Sequence, residues 1–159
     1  MVRLHKIIAT ALGSGYAPIA PGTAGSIVGI ILLYAINYCF YRLGGTAYMI
    51  VWLDLLAIIL MLFVGVKSIK EVHKFWEHDA GKIVIDEVVG VWIAVFAMPF
   101  QWQYYLYALI LFRFFDIAKP LFIRRVDKMG GDWSVMLDDV LAGVYSLIVM
   151  QLLYYLNII

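Results

Sequence analysis

Cysteine, charge and linker sequence are what these 159 residues have least of. Cys39 is the single cysteine, so no intramolecular disulfide can form and the redox compartment is not fixed by cysteine usage. Charged residues are 14% of the chain and hydrophobic residues 65%, where a soluble domain carries about 25% charged and about 45–50% apolar. That balance excludes an ordinary soluble domain and indicates an integral membrane protein. A net charge of +1 gives no reason to expect a nucleic-acid partner. No low-complexity tract or soluble module interrupts the chain, so 1–159 reads as one membrane domain. The apolar run after Arg3 and Lys6 is broken early by Gly13-Ser14-Gly15, too soon for a signal peptide.

What is present is apolar helix. Residues 1–12 read as a short amphipathic lead-in at the membrane surface. A Gly- and Pro-rich loop follows, with Pro21-Gly22 as a turn signal and Thr23 as the expected N-cap of a helix over 24–42. Gly44-Gly45 turns the chain into a second span over 46–66, and 67–82 is polar. A third helix is expected over 83–98, capped by Asp79 and ended before Pro99, and a fourth over 104–118. A basic connector over 120–136 leads to a fifth, starting near Asp132 or Ser134. The expected fold is an all-α polytopic membrane bundle of about five spans. Of the 12 Lys and Arg, Arg42 alone falls in the opposite set of loops. The positive-inside rule therefore makes the N-terminus, the 67–82 loop and the 113–128 region cytoplasmic.

Against this background two acidic pairs stand out. Asp86-Glu87 and Asp138-Asp139 each interrupt an apolar run, and in each case a glycine follows four residues after one acid of the pair (Asp86 to Gly90, Asp139 to Gly143). An unpaired charge at membrane depth costs at least ~3 kcal/mol, so such residues are functional candidates. Asp86, Gly90, Ala94 and Ala97 share a helix face, and small residues there let a neighbouring helix approach closely. Asp54, alone in the second span, reads as a residue bonded to a neighbouring helix. His73 and Glu77 are one turn apart and read as a solvated helix extension rather than a metal pair.

A hard cation such as Mg²⁺ takes carboxylate, phosphate and water oxygens. Asp86, Glu87, Asp138 and Asp139 are the expected metal ligands. Adjacent residues on a helix diverge by about 100°, so one member of each pair is expected to face the metal. The same four, with Asp116, form the expected catalytic set. Arg113, Lys119 and Arg124 supply the cationic complement for phosphate, Arg through two-pronged bonds, and Ser14 and Thr23 at the Gly/Pro loop join them as expected substrate-phosphate contacts. Such a site at headgroup level suits a phospholipid with its phosphate in water and its tails in lipid.

Four segments carry a family resemblance: Ala17-Pro18-Ile19-Ala20-Pro21-Gly22-Thr23-Ala24-Gly25-Ser26, Ile83-Val84-Ile85-Asp86-Glu87-Val88-Val89-Gly90, Phe112-Arg113-Phe114-Phe115-Asp116-Ile117-Ala118-Lys119-Pro120 and Met136-Leu137-Asp138-Asp139-Val140-Leu141-Ala142-Gly143. In order and spacing the chain resembles the phosphatidylglycerophosphatase A family. The resemblance implies a Mg²⁺-dependent phosphatase of the inner membrane, with its site facing the cytoplasm, that converts phosphatidylglycerophosphate to phosphatidylglycerol. The chain departs from the family pattern at Pro120-Leu121-Phe122-Ile123-Arg124 and at Gly131-Asp132-Trp133-Ser134. Attack by water and attack by an aspartate are both open, as is assembly into a homo-oligomer. The alternative is a small cation or proton transporter using the same carboxylates, but that wants acids spaced through the membrane depth. A non-catalytic lipid-binding subunit would need the basic loop and gives no reason for two acidic pairs.

Overall fold

The computed structural model describes residues 2–76, 81–120 and 122–159. These fold into seven α-helices: α1 (Val2–Ala9), α2 (Pro21–Arg42), α3 (Ala47–Val72), α4 (Ile85–Val95), α5 (Trp102–Ala118), α6 (Ile123–Asp127) and α7 (Asp132–Tyr155), with a single 3₁₀ turn at Ser14–Tyr16. No strand occurs among the described residues. Glu77 and Asp79, the one paired with His73 and the other expected as a helix cap, lie outside the described residues.

The helix boundaries follow local chemistry with instructive differences. The cap of α2 is Ala20, in the left-handed region at φ 49°, with Pro21 as the first helical residue, a position where the missing N–H costs nothing. Thr23 is thus inside the first turn, and its expected role as N-cap is corrected. Thr46 caps α3 by accepting a 3.3 Å hydrogen bond from the Met49 N–H. That helix runs past the apolar stretch to Val72, because Ser68, Ile69 and Val72 remain buried where α1 packs on α3.

The largest difference is α4. The helix expected over 83–98 ends at Val95, and Ala97 takes φ 58°. Ala97 therefore leaves the small-residue stripe, and the chain is out of α-conformation before Met98-Pro99, as proline disfavours α-geometry in the residue before it. Eleven residues give α4 a length of about 16 Å, roughly half of the ~30 Å hydrocarbon thickness. Nine of its residues are buried, so α4 faces protein and not lipid. A helix apolar on every side belongs inside. It packs against α7 above all, then α2 and α5.

Three helices, α2, α3 and α7, are long and apolar enough to cross a membrane; α5, with 17 residues, is shorter. Around α4 they turn outward Ile31, Trp52, Leu56, Leu60, Phe63 and Ile148, each more than half exposed. Such a surface suits a lipid environment. Glycines set the closest helix approaches. A Cβ at Gly143 would lie 2.4 Å from the Gly90 carbonyl oxygen, and one at Gly25 would lie 2.7 Å from the Val84 side chain. Trp92 donates from its indole to the Gly29 carbonyl at 2.7 Å, tying α4 to α2. Asp54 is bonded to a neighbouring helix: buried Asn37 donates to it at 3.3 Å and to the Tyr105 hydroxyl at 2.9 Å, joining α2, α3 and α5.

Candidate active site

The acidic pairs come together because of how α4 starts and how α7 crosses it. Val84 donates its N–H to the Ala9 carbonyl at 2.8 Å, and Gly15 lies so close to Lys82 that a Cβ would sit 2.1 Å from its carbonyl oxygen. The Gly13-Ser14-Gly15 segment is therefore a backbone support for the strand of chain that enters α4. Ser14 takes part in that support: its hydroxyl donates to the carbonyls of Ala11 at 3.0 Å and Thr10 at 3.2 Å. Asp86 and Glu87 occupy the first turn of α4, where the helix dipole favours carboxylates. Asp86 accepts the Glu87 N–H at 3.1 Å.

Across the Gly90–Gly143 contact, α7 delivers Asp139. Carboxylate oxygens of Asp86, Glu87 and Asp139 all lie within 4.8 Å of one another, and Asp86 and Asp139 are 7% and 4% exposed. Both members of the first pair and one of the second therefore form the cluster. Asp138 turns to Lys119, which donates to it at 2.8 Å and also bonds Asp127 of α6. Lys119 stands at the end of α5 with φ 42°, a region that non-glycine residues rarely occupy. Burial works against its charge, but the bonds to Asp127 and Asp138 outweigh it and hold the ammonium above the ordinary lysine range. A raised lysine pKa contributes stability that is fully present below the ordinary lysine range and is lost as pH rises through the raised value, so the Lys119 pairings persist across neutral and moderately alkaline pH.

These residues line one cavity of about 520 Å³, together with Ala20, Pro21, Gly22, Arg113, Asp116, Lys128, Gly130 and Ser134. Arg113 pairs with Asp116 at 2.7 Å and reaches Ser26 at 3.5 Å. Six carboxylates and three cations face this space (Asp86, Glu87, Asp116, Asp127, Asp138, Asp139 against Arg113, Lys119, Lys128). A phosphate would be repelled unless cations entered with it. Glu87 Oε2 and Asp138 Oδ1 are buried with no hydrogen-bond partner, which leaves ligand capacity for one. An all-oxygen donor set with unused acceptors fits a hard divalent cation such as Mg²⁺.

Of the residues expected from sequence, Asp86, Glu87, Asp116, Asp138, Asp139, Arg113 and Lys119 line the cavity. Ser14, Thr23 and Arg124 are not among its lining residues. Ser14 spends its hydroxyl on backbone carbonyls, and Arg124 is exposed on α6. Sequence reasoning missed Asp127, Lys128, Ser134 and the backbone of Ala20 to Gly22. The signal for Gly22 lay in its being glycine, since a Cβ there would lie 2.3 Å from the Glu87 carboxylate. His73 bonds Asp132 through Nδ1 at 2.5 Å, pinning the end of α3 to the start of α7.

A sequence profile of the family described as phosphatidylglycerophosphatase A matches residues 7–154. A protein of Bacteroides thetaiotaomicron named "Putative phosphatidylinositol-3-phosphatase" is 40% identical, over 91% of this chain and 90% of its own length. Proteins named phosphatidylglycerophosphatase A are 39% identical in Haemophilus influenzae, over 94% of this chain and 88% of theirs. In Escherichia coli the figures are 34%, 88% and 77%. No solved structure matches the chain.

Proposed function

Because the chain belongs to the phosphatidylglycerophosphatase A family, we propose that its acidic cavity removes the terminal phosphate of phosphatidylglycerophosphate and leaves phosphatidylglycerol. The observation that carries this reading is the convergence of Asp86, Glu87 and Asp139 from two helices within 4.8 Å, beside Arg113 and Lys119. Asp86, Glu87 and Asp139 would hold Mg²⁺. When bound, the ion neutralises these acids and acts as a Lewis acid on the phosphate oxygens.

The chain's own groups do the rest. Arg113, held by Asp116 and Ser26, is fixed to meet phosphate oxygens. Asp138, oriented by Lys119, keeps one oxygen without a partner and accepts the proton of the attacking water. The water oxygen bonds to phosphorus, the ester P–O bond breaks, and the glyceryl oxygen leaves as the hydroxyl by taking up the proton that Asp138 accepted. In this role Lys119 is a positioning residue that acts through Asp138. Lys119→Met should then lower kcat roughly 10- to 100-fold, the usual cost of losing a group that orients a working residue. KM should hardly change, and Lys119→Arg should recover part of the loss in a phosphate-release assay. A trapped phosphoenzyme would instead assign attack to a carboxylate.

We place α2, α3 and α7 across the inner membrane, with α4 and α5 completing a five-helix domain and the cavity on the cytoplasmic side. Every Lys and Arg except Arg42 lies toward that end by sequence, and Lys6 and Lys82 both stack on Trp76 there. A transporter is disfavoured, because the acids gather at one end. The relative named "Putative phosphatidylinositol-3-phosphatase" makes phosphatidylinositol 3-phosphate a second substrate to test. Both lipids carry a phosphomonoester on a polyol that is itself joined through a phosphodiester. Purified protein in detergent should release phosphate from phosphatidylglycerophosphate with Mg²⁺ and none with EDTA. Release from the inositol lipid alone would transfer the activity to that substrate, and no release from either would overturn the reading.

A further inference from the structure

The cations around the cavity are unequal in one respect. Arg113 is paired with Asp116, and Lys119 with Asp127 and Asp138. Lys82 rests 4.2 Å from the Trp76 ring centre, and Arg125 5.3 Å from that of Phe122. Lys128 lines the cavity, and its ammonium has no ion-pair or hydrogen-bond partner among the described residues. It follows α6 as its C-cap and is exposed, whereas the acids that would hold metal are nearly closed off. Met129, next in sequence, is 75% exposed, and Phe122, just before α6, is 58% exposed. An exposed ammonium on a segment that also turns apolar side chains outward matches the pattern of a residue at headgroup depth.

We propose that Lys128 binds the phosphodiester of the substrate and so makes the enzyme select lipids whose phosphomonoester sits one polyol beyond a diester. The proposal rests on the phosphatase reading above and adds the residue that recognises the second phosphate. With the monoester drawn to Asp86, Glu87 and Asp139 at the bottom, the diester comes to the mouth. Of the three cations that line the cavity, Lys128 is the one not already committed to a carboxylate. Phosphatidate, which carries a monoester and no diester, would gain nothing from it. Lys128 thus separates two lipids that the buried cluster treats alike.

The test compares wild type, Lys128→Ala and Lys128→Arg as full-length protein in detergent micelles with Mg²⁺. Phosphatidylglycerophosphate and phosphatidate of the same acyl chains are the two ligands, the second read as a KM if turned over and as a competitive inhibition constant if not. Loss of one charge-assisted bond to phosphate predicts a KM for the diester-bearing lipid that rises about tenfold in Lys128→Ala. The constant for phosphatidate should stay within about twofold, and Lys128→Arg should restore the difference. Equal weakening of both lipids, or of neither, overturns the assignment. The same constants read by equilibrium binding decide the matter even where wild type releases no phosphate, an outcome that overturns the phosphatase reading separately.

Discussion

Asp139→Asn is expected to reduce phosphate release by about 10³-fold, near 4 kcal/mol of lost transition-state stabilisation, while the fold survives. Three carboxylates with oxygens within 4.8 Å repel one another in a site where Asp139 is 4% exposed. Removing one charge relieves that repulsion, so thermal stability without metal should stay level or rise. The bound cation needs the same charge, so stabilisation by added Mg²⁺, which follows mass action for any ligand of the folded state, should largely vanish. Melting curves with and without Mg²⁺, set beside phosphate release, separate the two effects. A variant that melts lower without metal and keeps its Mg²⁺ response would mean that Asp139 serves the fold and not the ion. Asp86→Asn should behave alike, whereas Asp138→Asn should lose turnover and keep the metal-dependent shift, because Asp138 is turned to Lys119.

That division between Asp138 and Asp139 marks where the sequence stops being legible. The pairs themselves stood out because charge inside apolar helix is costly, and composition and helix runs sufficed for an all-helical membrane protein. Arg113, Asp116 and Lys119 could be placed at the same end as the acids by the positive-inside rule. Which acid of each pair faces the ion depends on how α7 is rotated against α4, and nothing in a one-dimensional pattern fixes a rotation. Lys119 was read as part of the cationic complement for phosphate; its bonds to Asp127 and Asp138 join residues that no local pattern places together. Ser14 and Thr23 were expected as phosphate contacts from their place at the Gly/Pro loop. In the fold Ser14 braces the backbone, and the glycines near it make room for Lys82 and Glu87. The length of α4 escaped because an unbroken apolar run does not reveal whether lipid or protein surrounds it.

The rotation is set at one crossing, and a single methyl there should disable the enzyme. A Cβ on residue 143 would sit 2.4 Å from the Gly90 carbonyl oxygen and 3.1 Å from the Ile93 Cβ. The obstacle is backbone, which has no rotamer with which to yield. From the other side, a Cβ on residue 90 would meet Phe112 at 2.3 Å and the Asp139 carbonyl oxygen at 2.8 Å. Gly143→Ala must therefore part the helices by on the order of 1 Å, at an overpacking cost of about 1–3 kcal/mol. Asp139 is one turn from the contact and moves with it, away from Asp86 and Glu87. A misplacement of ~1 Å in a working site is worth on the order of 10²-fold in rate. Gly143→Ala should thus lose at least that much kcat, recover part of it at raised Mg²⁺ as the widened cluster binds metal more weakly, and melt lower. Gly143→Leu should be worse on all three counts. Full activity of Gly143→Ala at ordinary Mg²⁺ would show that the carboxylates keep their spacing without this crossing, and the account of how α4 and α7 build the site would fail.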